Sequence, residues 1–134
     1  MTAAILSAQD VVRSVGGDIT AFEILKRNPR RLTQLFGSSA PNLVVTPDAV
    51  GDVLRALRDR RVSPQQAQQW ASFIRRGYLT GANDGPLRPL SIEYDPEHED
   101  VIVEILSRLD ELGDVVDGHV SDDELSTMLG ELSR

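Results

Sequence analysis

The segment RRVSPQQAQQWASFI, residues 60–74, contains the pattern that decides the fold. In it, Val62 precedes Ser63, a proline follows at once, and Ala67 stands five positions after the valine. Serine is a preferred N-cap, proline is well tolerated as the first helical residue, and two apolar residues at this spacing form a hydrophobic staple. The segment therefore predicts a helix that begins directly after Ser63.

The same initiation pattern recurs along the chain. It appears in LSAQDV (6–11), ITAFEI (19–24), VTPDAV (45–50) and VSDDEL (120–125), with predicted N-caps Ser7, Thr20, Thr46 and Ser121. Two further helix starts are predicted at Asn28-Pro29 and Asp95-Pro96. Apolar residues then follow at the three- and four-residue spacing of amphipathic helices. The sequence thus predicts an all-α bundle of about six or seven helices.

The apolar stripes of these helices define a predicted core. Its members are Val11, Leu25, Leu35, Val53, Leu57, Trp70, Ile74, Ile105, Leu109, Leu125 and Leu129. Two stretches have extended character instead, NLVV (42–45) and PLSIEY (89–94). We therefore expect at most a short extended segment near residues 89–94 beside the helices.

The length of the chain, 134 residues, suits a single helical domain over 1–134. Within it we expect a basic helical body (1–78), a linker (79–94) and an acidic helical hairpin (95–134). The linker assignment comes from LTGANDGPLRP (79–89), in which glycine, asparagine, aspartate and proline are concentrated.

Composition limits the compartment and the chemistry. The absence of cysteine excludes disulfides, thiolate metal sites and cysteine nucleophiles. The N-terminal residues lack the features of a secretion signal, and no segment reaches membrane-spanning length, so we expect a cytoplasmic protein with no membrane partner. The strong preference for arginine over lysine favours a bacterial source.

Known enzyme signatures are missing from the sequence. It has no phosphate-binding glycine loop, no G-x-S-x-G and no H-E-x-x-H, and its two histidines, His98 and His119, each stand beside carboxylates. Ser121 lies close to His119, but its expected role is helix capping. We therefore expect a protein that is not an enzyme.

Charge is distributed very unevenly along the chain. Residues 1–88 carry 12 Arg/Lys and 7 Asp/Glu, a net charge of +5, whereas residues 89–134 carry 2 and 14, a net charge of −12. Such an acidic segment steers cationic partners towards it. The preferred hypothesis is a protein-binding module whose acidic C-terminal helices contact a basic protein partner. The candidate contact residues are Asp95, Glu97, Glu99, Asp100, Asp110, Glu111, Asp114, Asp117, Asp122 and Asp123.

A nucleic-acid-binding regulator is the first alternative. Basic side chains in the N-terminal helices and in WASFIRRGY (70–78) could contact phosphates, while Phe73 and Tyr78 could stack on bases. A solvated basic helix surface is favoured instead, because the acidic third of the chain would repel nucleic acid. The candidate residues are Lys26, Arg27, Arg30, Arg31, Arg75 and Arg76.

A degenerate calcium loop is the second alternative. In DGHVSDDELSTML (117–129), Gly118 and Glu124 occupy the turn and bidentate positions of a twelve-residue loop. The first two ligand positions, however, hold Gly113 and Val115. A capping box of Ser121 with Glu124 explains the matching residues without a metal, and acidic residues in EYDPEHED (93–100) suit a first helical turn. We expect no metal and no cofactor.

One stretch also resembles a known family. LRALRDRRVSPQQAQQWASFI (54–74), a helix, a polar turn, Val-Ser and a second helix, resembles the turn of small helical bacterial immunity proteins of the colicin D type. A weaker second copy covers residues 109–129. The resemblance implies a helical bundle whose acidic face neutralises a basic nuclease.

Overall fold

A computed structural model describes residues 8–27, 43–76, 92–113 and 120–132. The helices in these ranges are α1 Ala8–Val15, α2 Ile19–Arg27, α3 Pro47–Arg58, α4 Pro64–Arg76, α5 Glu99–Asp110 and α6 Asp122–Leu132. A 3-10 turn, Glu111–Gly113, follows α5, and the strands are β1 Leu43–Val45 and β2 Ile92–Tyr94. The predicted all-α bundle with one short extended region is confirmed.

Helix α4 begins at the predicted N-cap, Ser63, which forms a complete capping box with Gln66. The Gln66 amide N–H donates to Ser63 Oγ at 3.1 Å, and the Ser63 N–H donates to Gln66 Oε1 at 2.8 Å. Helix α3 begins with the N-cap bond alone: the Ala49 N–H donates to Thr46 Oγ1 at 3.1 Å. These side-chain acceptors satisfy N–H groups that have no partner inside the helix.

At α6 only half of the predicted capping box forms. The Glu124 N–H donates to Ser121 Oγ at 3.1 Å, but the Glu124 carboxylate accepts from Arg108 on α5. The Glu124 side chain therefore joins α6 to α5 instead of completing the capping box. Val120 and Leu125, the predicted staple, are half-buried and buried, respectively.

The predicted N-cap of α2 was wrong. The helix is capped by Asp18, whose Oδ1 accepts from the Ala21 N–H at 3.2 Å, while Thr20 lies exposed in the first turn. The preceding residue, Gly17, has φ of +93°, and a Cβ there would come within 2.4 Å of the Ala49 carbonyl oxygen. The turn therefore requires glycine at position 17, directly before the capping Asp18.

Two other predicted starts have different outcomes. Asp95-Pro96 leads into a turn at 96–98, and α5 begins only at Glu99. Its N-cap, His98, makes no capping bond with its side chain. Ser7 and Asn28-Pro29 lie outside the described residues.

The core is centred on α4, which packs against α2, α3, α5 and the 3-10 turn. Trp70 has no exposed surface, and its indole N–H donates to the Ser14 carbonyl oxygen at the end of α1, at 2.7 Å. Phe73, also on α4, packs on Phe22 of α2 with ring centroids 5.6 Å apart. The predicted core residues in the described ranges are buried, except Leu129, which is half-buried against the core; Leu35 lies outside them.

The two extended stretches pair with each other as parallel strands. Leu43 is opposite Ile92, Val44 opposite Glu93 and Val45 opposite Tyr94. Each strand leads into a helical hairpin, β1 into α3–α4 and β2 into α5–α6. Across the hairpins, α5 packs chiefly on α4 and α6 on α3. No helix within the described ranges is long and apolar enough to cross a membrane.

The turn between α3 and α4 contains a left-handed arginine. Arg60 has φ of +61°, and the N–H groups of Arg60 and Arg61 donate to the Leu57 and Ala56 carbonyl oxygens. Glycine usually occupies such a position after a helix, because a Cβ is unfavourable there. This turn therefore contains a locally unfavourable residue.

We expect Ser63→Ala and Ser121→Ala each to lower the free energy of unfolding by about 0.5 to 2 kcal/mol, because each removes the acceptor for a first-turn N–H. Urea unfolding measures this change. Thr20→Ala is the matched control and should have little effect, since Thr20 does not cap α2. Unchanged midpoints for both serine variants would contradict the capping role.

We expect Arg60→Gly to raise the free energy of unfolding by about 0.5 to 1 kcal/mol. Relief of a left-handed conformation costing roughly 1–2 kcal/mol outweighs the added freedom of glycine in the unfolded chain. Arg61→Gly, one residue later, is the control and should destabilise the protein, because Arg61 has no positive φ to relieve. Equal effects of the two substitutions would show that backbone strain at Arg60 is negligible.

Candidate functional site

Helix α5 has one buried side and one acidic side. Its buried residues are Ile102, Ile105, Leu106 and Leu109. On the other side, Glu99, Asp100, Val103 and Glu104 are all exposed. Their spacing of three and four residues places them together on the helix surface. We call these four residues the acidic face.

The carboxylates of the acidic face have no neutralising partner in the described part of the chain. None of the three carboxylates forms an ion pair or a side-chain hydrogen bond with another described residue; they belong to Glu99, Asp100 and Glu104. Val103, between them, is 40% exposed, one of the few large apolar side chains so accessible in the described ranges. The face thus combines unneutralised negative charge with an accessible apolar centre.

Two members of this face were missed by sequence reasoning. Glu104 stands four residues after Asp100, and Val103 three residues after it, so the helical period could have identified both. The sequence placed Glu104 in the acidic segment but not among the predicted contact residues, and it gave no prediction for Val103.

Asp110, a predicted contact residue, is used inside the fold. Its side chain is only 11% exposed and accepts from Arg75 Nη1 at 2.6 Å and from Arg76 Nη1 at 3.1 Å. Gln68 Nε2 donates to its other oxygen at 2.9 Å. Asp110 therefore joins the end of α5 to α4 and has little charge left for an external partner.

The predicted contact Glu111 lies beside another internal pair. Arg108 donates from Nε to Glu124 Oε2 at 2.5 Å and from Nη2 to Glu124 Oε1 at 3.1 Å. Its Nη1 also lies 3.4 Å from Glu111 Oε2. The two-point contact with Glu124 fixes α6 on α5, whereas Glu111 remains half exposed and only weakly held.

At the start of α5 the predicted residues form a hydrogen-bonded turn. Asp95 Oδ1 accepts from the Glu97 N–H at 3.3 Å, and its Oδ2 lies 3.1 Å from His98 Nδ1. Glu97 itself is exposed. Burial raises the pKa of the nearby Tyr94 phenol above its ordinary value; the Arg75 charge opposes this and the Glu99 charge adds to it. Tyr94 is therefore neutral at pH 7 and contributes no charge beside the acidic face.

The remaining predicted acidic residues lie on or before α6. Asp122 and Asp123 are exposed in its first turn, where negative charge suits the helix dipole. Asp114 and Asp117 lie outside the described residues.

Three of the four alternative basic residues that the structure describes are engaged with acidic or amide groups. Lys26 Nζ lies 3.0 Å from Glu23 Oε1 and donates to Gln69 Oε1 at 2.6 Å. Arg75 and Arg76 both bind Asp110. Arg27 is exposed, and Arg30 and Arg31 lie outside the described residues. The structure thus brings three of the basic candidates into internal contacts rather than onto one open surface.

The calcium alternative depends on residues that the structure describes only in part. Residues 114–119, which include Asp117 and Gly118, are outside the described ranges. Glu124, the would-be bidentate ligand, contacts Arg108. Among the residues that are described, no three acidic or histidine side chains come together in a way that could hold a metal ion.

We expect Asp110→Asn and Glu104→Gln to differ sharply although each removes one negative charge. Asp110→Asn should lower the free energy of unfolding by about 1 kcal/mol, because it weakens two arginine contacts at a largely buried side chain. Glu104→Gln should change it by less than about 0.5 kcal/mol, as for other exposed positions. Urea unfolding compares the two variants directly, and an equal loss in both would contradict the division into internal and external carboxylates.

Comparison of the chain with protein-family models, with curated proteins and with solved structures found no match.

Proposed function

We propose that this protein is a non-enzymatic binding module whose acidic face on α5 binds a basic protein. The observation that carries the proposal is the environment of Glu99, Asp100 and Glu104, which are exposed and form no ion pair with any described residue. Other acidic side chains in the fold, such as Asp110 and Glu124, are paired with arginine. A cationic surface would complete the same pairing for the acidic face.

The exposed Val103 supports a protein as the partner. Protein interfaces combine an apolar contact at the centre with a polar rim, and this arrangement excludes water from the contact. Val103 stands among three carboxylates in this manner. A basic protein with an apolar residue among its lysines or arginines would match both features.

Electrostatic attraction would act before contact as well. Residues 89–134 have a net charge of −12, so they generate a field that steers cationic partners and accelerates association. Salt screens such a field with a Debye length of about 8 Å at physiological ionic strength. Binding through the acidic face should therefore weaken as salt concentration rises.

The resemblance to immunity proteins of the colicin D type agrees with this chemistry, because it implies an acidic helical surface that neutralises a basic nuclease. A cytoplasmic bacterial protein of the immunity type is accordingly the specific form of the proposal. The nucleic-acid alternative has less support, since Lys26, Arg75 and Arg76 contact groups within the fold.

Affinity capture from a lysate of the source organism, before and after nuclease treatment, tests the proposal. The bait should retain a basic protein that survives nuclease treatment and elutes as salt increases. The triple variant Glu99→Gln, Asp100→Asn, Glu104→Gln should lose it, because the variant removes the carboxylates that pair with the partner. Val103→Ser should weaken capture without changing charge.

The matched control is Asp48→Asn, Asp52→Asn, Asp59→Asn, which changes the net charge equally at three exposed positions around α3. This control should retain the captured protein. Equal loss in both triple variants would show that total charge, rather than the acidic face, is responsible. Capture of nucleic acid alone would contradict the proposal and favour the alternative basic surface.

A further inference from the structure

A groove of about 490 Å³ lies beside the acidic face, between the start of α5 and the second half of α6. Its volume falls within the range of roughly 300–1,000 Å³ that is typical of ligand sites. The groove is lined by Glu97, His98, Val101, Ser126, Thr127, Gly130 and Glu131. The α6 residues of this lining face away from Leu125, Met128 and Leu132, which attach the helix to the core.

A glutamate lines the groove on each of its two sides. Glu97 belongs to the turn before α5 and Glu131 to the last turn of α6, and neither forms an ion pair with a residue in the described ranges. Thr127 also lines the groove, one helical turn before Glu131 on α6. Its hydroxyl donates to the Asp123 carbonyl oxygen at 3.0 Å, so its remaining hydrogen-bonding capacity is as an acceptor. The oxygen atoms of these three side chains can therefore accept hydrogen bonds from a ligand that carries N–H or O–H donors.

The groove is open at Gly130, so a larger side chain there would extend into it. A Cβ built on Gly130 would have no heavy atom within 4 Å apart from its chain neighbours and the backbone of its own helix. Glycine in a helix costs about 0.5–1 kcal/mol relative to alanine, and no turn or positive φ requires it at this position. Val101, packed against the core on the opposite side, supplies an apolar surface.

We propose that this groove binds an arginine side chain of the basic protein partner; the inference rests on the proposed function and specifies one anchoring contact for it. A guanidinium group has donors around its edge and apolar faces above and below. Its edge can meet Glu97 and Glu131, and its faces can lie against Val101 and the Gly130 backbone. Buried arginines of this kind are common anchors of protein interfaces.

The position of the groove links it to the acidic face. Glu97 lies in the turn directly before α5, and Val101 follows Asp100 in the first turn of the helix, so the groove borders the acidic face. A partner that contacts Val103 and its carboxylates can therefore place a side chain into the groove in the same orientation. A lysine would supply charge but not the flat, multiply donating group that the two walls fit.

The test uses Nα-acetyl-arginine amide, titrated into the isotope-labelled protein and followed by amide chemical shifts in NMR spectra. Millimolar binding should shift the amides of Val101, Thr127 and Gly130. The citrulline analogue, which has a similar shape but no charge, should produce no saturable shift. Glu131→Gln should weaken arginine binding about two- to fivefold, as expected for one partly exposed ion pair.

Gly130→Leu fills the groove and should abolish binding. Its thermal unfolding midpoint should equal or exceed that of the parent, because the side chain enters open space and leucine favours helix. Gly130→Ala is the matched control: it gains helix propensity but leaves most of the groove open, so it should still bind arginine.

Unchanged shifts on arginine addition, or identical shifts in Gly130→Leu, would overturn the inference. Equal binding of citrulline would do the same. These outcomes are separable from failure of the proposed function. A basic protein captured through Glu99, Asp100 and Glu104 but insensitive to Gly130→Leu would leave the proposed function intact and refute only the arginine groove.

Discussion

The buried indole of Trp70 is the contact on which the arrangement of the helices depends. It has no exposed surface, and its N–H donates to the Ser14 carbonyl oxygen at the end of α1. A buried donor must be satisfied, so the bond fixes both the depth and the direction in which α1 meets α4. Helix α4 in turn packs on α2, α3 and α5. Few aromatic residues are therefore sufficient to form the core, since the single tryptophan lies where the helices meet.

The second constraint is the way in which the fold distributes its charged groups. Arginines of α4 bind Asp110, and Arg108 of α5 binds Glu124 on α6. The Asp110 contacts attach α5 to α4, and the Arg108–Glu124 pair joins the two acidic helices to each other. Both sets of contacts occupy arginines that would otherwise neutralise the surface. What remains exposed on α5 is negative charge around Val103. The same excess of acidic residues thus serves both attachment and the candidate binding surface.

Local signals predicted the helices well because capping is a local interaction. Ser63, Thr46 and Ser121 accept bonds from residues three positions later, and the amphipathic spacing identified the core. Thr20 was wrongly predicted as a cap because Asp18, two residues earlier, provides the acceptor for the Ala21 N–H. The parallel pairing of two extended stretches was not predictable from either stretch alone.

The candidate site was predicted less completely, for a related reason. A sequence count shows that the C-terminal segment is acidic, but not which carboxylates already have partners. Asp110 was included among external contacts although it binds two arginines from another helix. Glu104 was not among the predicted contact residues, although its four-residue spacing from Asp100 is visible in the sequence. Pairing between distant residues decides which charges remain available, and only the folded arrangement contains that information.

The parallel register of β1 and β2 also affects how the chain reaches its fold. Two parallel strands cannot be joined by a tight turn, and here the residues between them, 46 to 91, include both α3 and α4. Closing so long a loop costs entropy before the strands gain anything from pairing, so we expect the helices to form before the sheet. A nascent chain that ends before residue 92 lacks the strand that pairs with Leu43–Val45.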